Sequence, residues 1–144
     1  MKFKRLHNNF ELPSYATNGS AGFDIAVMED VTIYKGVPVV VDLGFAATVP
    51  HGYVAIIAPR SGKGFNDGLT LVNTVGVIDS DYTGEWKAKL ILNKNVSNHH
   101  FVNYVAGERI LQCLILPVNK VKPELVDELE STDRGDGGFG STGK

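Results

Sequence analysis

The chain reads as an all-β protein, a sandwich, jelly roll or barrel that ends in a glycine-rich arm. Seven short segments rich in β-branched or aromatic residues follow one another, separated by Gly, Pro, Asn and Asp clusters such as VPHGY and KNVSNHH. Only 61–68 and 123–130 carry a helical pattern, and both are short. In EWKAKLIL, Trp86, Ala88, Leu90 and Leu92 fall on one face and Lys87 and Lys89 on the other, the period of a strand with one buried side.

Taken in order, the basic start MKFKRLHNNF has no apolar h-region, so no signal peptide is expected. AGFDI (21–25) puts Asp24 after a small, flexible pair, where a turn aspartate would cap backbone N–H groups. VTIY (31–34), PVVVDLGFAATV (38–49) and YVAIIA (53–58) are strands, and PRSG (59–62) follows the last of them. Arg60, Ser61 and the N–H of Gly62 stand where a short helix begins, a place suited either to an anion or to Ser61 as N-cap. LTLV (69–72) and EWKAKLIL (85–92) flank NTVGVIDSDYTGE (73–85), where Asn73, Asp79, Asp81 and Tyr82 crowd into a turn-rich stretch. That stretch is either a hairpin with a solvated tip or a source of a base and a ring for a sugar.

HFVNYVA (100–106) and RILQCLILPV (109–118) complete the strands. In the latter, Ile110, Leu114 and Leu116 share one face, and Leu111, Cys113 and Ile115 the other, so both faces are apolar apart from Gln112. Such a strand is either a subunit interface or a central strand covered by a loop. Arg109 is either paired structurally or meets a ligand. Residues 119–133 are polar and acidic, a solvated link to the arm RGDGGFGSTGK (134–144). The division expected is a folded body, 1–130, and an arm, 131–144.

Bulk properties narrow the function. With 144 residues, 43% hydrophobic content and a net charge of −2, the chain is an ordinary soluble domain and no general nucleic-acid binder. Its single cysteine, Cys113, permits no intramolecular disulfide and reads as a buried thiol; no run is long and apolar enough to cross a membrane, so a cytoplasmic location is expected. Several motifs fail on context. Gly135, Gly137 and Gly140 spell G-x-G-x-x-G without the strand and helix it needs, and SGKG (61–64) lacks the upstream glycine and the hydroxyl of a P-loop. DSDYTG (79–84) lacks the later ligands of a calcium loop, and His99 and His100 have no zinc-like partners.

AGFDI, PRSG, GVIDSDYTGE, GERILQ and RGDGGFGSTG, in this order from 21 to 143, resemble the five motifs of the trimeric dUTP pyrophosphatase (dUTPase) family. The resemblance implies a jelly-roll homotrimer whose active sites are shared between chains, each arm closing over a neighbour's site. It implies Mg²⁺-dependent hydrolysis of dUTP to dUMP and pyrophosphate by water attack at the α-phosphorus, which keeps uracil out of DNA and supplies dUMP for thymidylate synthesis. Asp79 is then the catalytic base, and Tyr82 packs beneath the deoxyribose and excludes a 2′-hydroxyl. Asn73 and backbone groups around Gly76 bind uracil, and Phe139 stacks on it. Arg60, Ser61, Gly62 and Gln112 are implied phosphate or supporting contacts. Arg134, Ser141 and Thr142 clamp the distal phosphate, Gly140 is a further substrate-binding position, and Asp24 meets magnesium through water. Lys63 and Gly64 depart from the motif, which usually continues with an apolar residue and alanine; Lys63 would add charge near the phosphates. The related dCTP deaminases are the competing family, disfavoured by the DYTG turn and the Phe-bearing arm. A nucleotide-responsive regulatory role, with a protein partner, is compatible with the same site.

Overall fold

The computed structural model describes residues 1–138. Ten strands run in order: β1 (Lys2–Arg5), β2 (Gly22–Ala26), β3 (Val31–Tyr34), β4 (Val39–Thr48), β5 (Tyr53–Pro59), β6 (Leu69–Leu71), β7 (Gly76–Ile78), β8 (Glu85–Leu92), β9 (Phe101–Tyr104) and β10 (Arg109–Pro117). They form two four-stranded sheets, ordered β1-β4-β8-β6 and β2-β10-β5-β7, plus the ribbon β3-β9. Every strand pairing is antiparallel. The inner faces meet in one core, with Phe45, Trp86, Ala88 and Leu90 from the first sheet and Phe23, Ile25, Ile57, Leu111 and Cys113 from the second. This is the expected jelly-roll-like sandwich.

All seven expected strands form, with ends that differ by a few residues. β8 buries Trp86, Ala88, Leu90 and Leu92, as its period-two pattern requires. Three further strands carry weaker signals. β1 is held by an aromatic chain: Phe3 lies 5.3 Å from Phe45, Phe10 lies 5.0 Å from Phe45, and Phe45 lies 5.1 Å from Trp86 between ring centroids. A four-residue strand gains little from its own hydrogen bonds, so these rings anchor it. β2 overturns the turn expected at AGFDI. Phe23 and Ile25 point into the core, and Asp24 lies on the opposite face of a strand paired with β10. β7, only three residues long, pairs with β5.

The helix expected over 123–130 does not form. Eight residues are too few to hold a helix alone, and Leu125 and Leu129 are exposed, so no packing supports a marginal helix. In contrast, 61–67 is helical, with a wide π-type turn over Lys63–Asp67 closed by Gly68 in the left-handed region. Cys113 is fully buried, and burial pushes its thiol up to about 12, which suits a structural side chain.

β4 changes register against β8 between Asp42 and Ala46. Gly44 lies at this irregularity with φ +74°, and its carbonyl accepts from the N–H groups of Leu6 and His7. Any side chain there would strike Met28, so only glycine serves.

Candidate active site

Two groups of polar residues emerge, set by which sheet each segment leaves or enters. The first lies on the outer face of β2-β10-β5-β7. Gln112 of β10 stands opposite both Asp24 of β2 and Ala58 of β5, so one cross-strand row carries the carboxylate and the amide. Arg60, just past β5, places Nε 3.1 Å from Asp24 Oδ1 and donates from Nη1 to the Arg109 carbonyl at 3.0 Å. Arg109 brings Nη1 to 3.4 Å from Asp24 Oδ2. The Gln112 amide donates to the Pro59 carbonyl at 2.9 Å, and Arg60 N–H to the Ile110 carbonyl at 2.9 Å.

Two guanidinium groups therefore share one carboxylate, which leaves an excess of positive charge at this edge. Arg109 is a strand residue whose side chain remains half-exposed, reaching Asp24 along the surface rather than in the core. Ser61 and Gly62 follow at the start of the helical turn, and no side chain caps that turn. The N-cap role open to Ser61 is thus not taken.

The second group sits on the segments that carry the chain between the sheets. β6 belongs to one sheet and β7 to the other, so 72–75 is a crossing, closed by an antiparallel bridge between Leu71 and Thr74. The return crossing, 79–84, runs from β7 to β8. The expected hairpin is therefore a pair of crossings, because β7 and β8 do not pair. Asn73 and Gly76 line a cleft of about 340 Å³, together with Leu71, Val77 and Ala88. Asp79 and Tyr82 line an adjoining cleft of about 300 Å³ over Trp86.

Tyr82 is held there rather than left to swing. Its hydroxyl donates to the Glu85 carbonyl at 2.9 Å, and the Tyr82 N–H donates to the Asp79 carbonyl at 3.2 Å. A Cβ on Gly84 would lie 2.6 Å from the Tyr82 hydroxyl, so glycine is what lets the ring fold back on its own turn. Asp79 itself is exposed.

Neither of these clefts is lined by Asp24, Arg60, Ser61 or Gln112. The cationic group and the carboxylate-and-ring group of one chain thus line no common cleft. Arg134 lies in an exposed turn and donates from Nε to the Gly137 carbonyl at 2.9 Å. Phe139, Gly140, Ser141 and Thr142 lie outside the described residues.

A family model described as dUTPase matches residues 8–143. The chain belongs to the dUTPase family. Among curated relatives of this dUTPase-family chain is the deoxyuridine 5′-triphosphate nucleotidohydrolase of Nautilia profundicola, 45% identical over 144 residues and covering 100% of this chain and 99% of the relative. The protein of the same name from Syntrophotalea carbinolica is 42% identical, covering 99% and 96%. A solved structure of Staphylococcus bacteriophage 80alpha dUTPase with dUPNHPP superimposes with TM-score 0.87 at 26% identity, covering 99% of this chain and 98% of that one. Residues that sequence reasoning left without a role, Asp67, Tyr104 and Glu108, converge on Lys63. Only Lys63 and Asp67, four apart on a helical turn, had a readable spacing.

Proposed function

We propose that this dUTPase-family chain hydrolyses dUTP to dUMP and pyrophosphate in a trimer whose sites are shared between chains. The observation that carries the reading is the separation of the two groups on one chain, each presented at an edge that another copy can meet. The outer face of β2-β10-β5-β7 supports this. Leu114 stands opposite Ile56, and Ile56 opposite Val77; Leu116 stands opposite Val54. Leu116 remains 44% exposed and Val77 57% exposed, so no loop among the described residues covers this apolar face. It lies directly next to the Asp24–Gln112 row, and a copy docked on it brings its own crossings towards the cationic group.

In that assembly, Asp79 accepts a proton from the attacking water, Tyr82 packs against the deoxyribose, and Asn73 with the backbone near Gly76 reads uracil. A mismatched base leaves these polar groups unpaired, a strong source of rejection. Arg60 holds Asp24 and steadies Ser61, while Ser61, Gly62 and Gln112 meet phosphate oxygens. Arg134 and the arm residues complete the distal phosphate site, and Phe139 covers the base.

The donor set also fits magnesium brought by the substrate. Asp24 Oδ2 is buried and, although the Arg109 guanidinium lies 3.4 Å away, accepts no hydrogen bond, so it keeps a lone pair for a metal-bound water. Among the described residues no group of three acidic, His or Cys side chains forms a protein cage. Magnesium bound on the triphosphate would neutralise its charge and stabilise the departing pyrophosphate.

The test is pyrophosphate release with magnesium from dUTP, dCTP, dTTP and UTP side by side, with ammonia assayed in parallel. Pyrophosphate from dUTP alone is the expected result. Ammonia from dCTP moves the chain to deaminase chemistry. Binding of dUTP without turnover of any of the four makes it a regulatory nucleotide binder.

A further inference from the structure

Lys63 opens the helical turn just after Ser61 and Gly62, yet it does not present a free cation to that site. Its ammonium lies 2.5 Å from Glu108 Oε1 and 3.9 Å from an Asp67 carboxylate oxygen. It also sits over the Tyr104 ring, 5.0 Å from the centroid. Tyr104 is fully buried and its hydroxyl donates to Asp67 at 2.9 Å. Burial, with the Asp67 hydrogen bond second, holds that phenol neutral far into the alkaline range. The other Glu108 oxygen accepts from the Val105 N–H at 3.2 Å.

This network joins three pieces of chain. Lys63 and Asp67 belong to the helical turn, Tyr104 ends β9, and Glu108 closes the β9–β10 connection immediately before Arg109. The side chains of Lys63, Asp67 and Glu108 are 26%, 17% and 29% exposed, sheltered enough for the charges to hold a fixed geometry. On one side of the network lie Ser61 and Gly62; on the other lie Arg109 and Gln112. Apart from it, the two sides meet through the β5–β10 ladder, which ends at the Pro59–Leu111 pair; through Arg60, whose main chain and side chain bond to the β10 carbonyls of Ile110 and Arg109; and through Gln112, which donates to the Pro59 carbonyl.

We propose that Lys63 is a positioning residue of the phosphate-binding half, which through its ion pair with Glu108 fixes the turn bearing Ser61 and Gly62 against the strand bearing Arg109 and Gln112. The proposal rests on the dUTP reading of the site. It replaces the expectation that Lys63 lends its charge directly to the phosphates. The two ideas separate on the behaviour of Glu108. A lysine that touches phosphate would be released by Glu108→Gln and bind the nucleotide as well or better. A lysine that acts through the pair would lose its effect when either partner is removed.

The experiment compares Lys63→Met, Glu108→Gln, the double variant and Lys63→Arg with the wild-type protein, each well below its own Tm. The expected result is a loss of about tenfold in kcat/KM for dUTP in either single variant, with no further loss in the double, since displaced positioning groups cost rate without breaking a substrate contact. Lys63→Arg recovers most of the activity, and dCTP is turned over by none of the variants, because base recognition sits on the crossings. Additive losses, a Glu108→Gln variant that matches or exceeds wild type, or lowered Tm with unchanged kcat/KM each overturn the proposal. If the wild-type protein turns over none of the nucleotides, the dUTP reading fails by itself. The same cycle is then read by calorimetry with inorganic tripolyphosphate, where coupled losses of affinity support the positioning role and independent ones overturn it.

Discussion

Asp79 is exposed on a crossing, while the clefts around it are shaped by fixed neighbours: Tyr82 tied to Glu85, Gly84 making room for the ring, and Trp86 beneath. An Asp79→Asn variant keeps this frame and loses the proposed base, so single-turnover hydrolysis of dUTP should fall by about 10²–10⁴ while binding of the nucleotide persists. Thr74 makes a different point. It is the one non-glycine residue with positive φ among those described, at +69°, and it adjoins Asn73 in the crossing that frames the cleft. A β-branched residue there costs about 1–3 kcal/mol, and glycine would return part of that in unfolded-state entropy. Thr74→Gly should therefore raise stability by about 1 kcal/mol in urea unfolding, read as a higher midpoint at constant slope. An unchanged or lower midpoint would mean that the surrounding turn already favours this conformation.

At the scale of elements, β10 is the organising strand. It pairs with β2 on one side and β5 on the other, brings Arg109 and Gln112 to the edge proposed to bind phosphate, and turns Leu111 and Cys113 into the core. A shift in its pairing with β2 between Arg109 and Leu111 lets Ile110 and Leu111 both be buried, although they are adjacent in sequence. Its outward residues Leu114 and Leu116 have no inward task, which is the physical ground for the proposed trimer contact. Leu114→Glu should leave the sandwich folded by circular dichroism yet shift sedimentation from trimer to monomer, because a charge then faces an apolar surface across the interface. Loss of activity should accompany the shift. A Leu114→Glu protein that remains trimeric would place the interface elsewhere.

For the whole molecule, the shared-site proposal makes a sharper demand than oligomer size. Chains truncated before Arg134 lack the arm, and chains with Asp79→Asn lack the base, so each alone should be nearly inactive. Denatured together and refolded, they should regain activity, since some mixed trimers combine an intact Asp79 with an intact arm. Verified mixing by mass spectrometry with no return of activity would exclude sites built from several chains.

Much of this molecule is written in local pattern. Period-two alternation identified β8 and its buried face, and the β-branched runs located seven strands, because a half-buried pleat imposes its residue types within a few positions. The chemistry-bearing residues are likewise legible as compact clusters ending or joining those strands, and the family match over 8–143 spans them. Pairing was not legible. β1, β2 and β7 are short, and their stability comes from aromatic packing and from partners far along the chain, which no local window contains. The same distance hid the crossings that replaced the hairpin, and it hid Glu108 as the partner of Lys63. The sequence by itself determined the all-β class and the segments that carry the proposed site. Only tertiary structure decided which of those parts meet, because contacts between residues 24, 60 and 109, or 63 and 108, exist only once the sheets have formed.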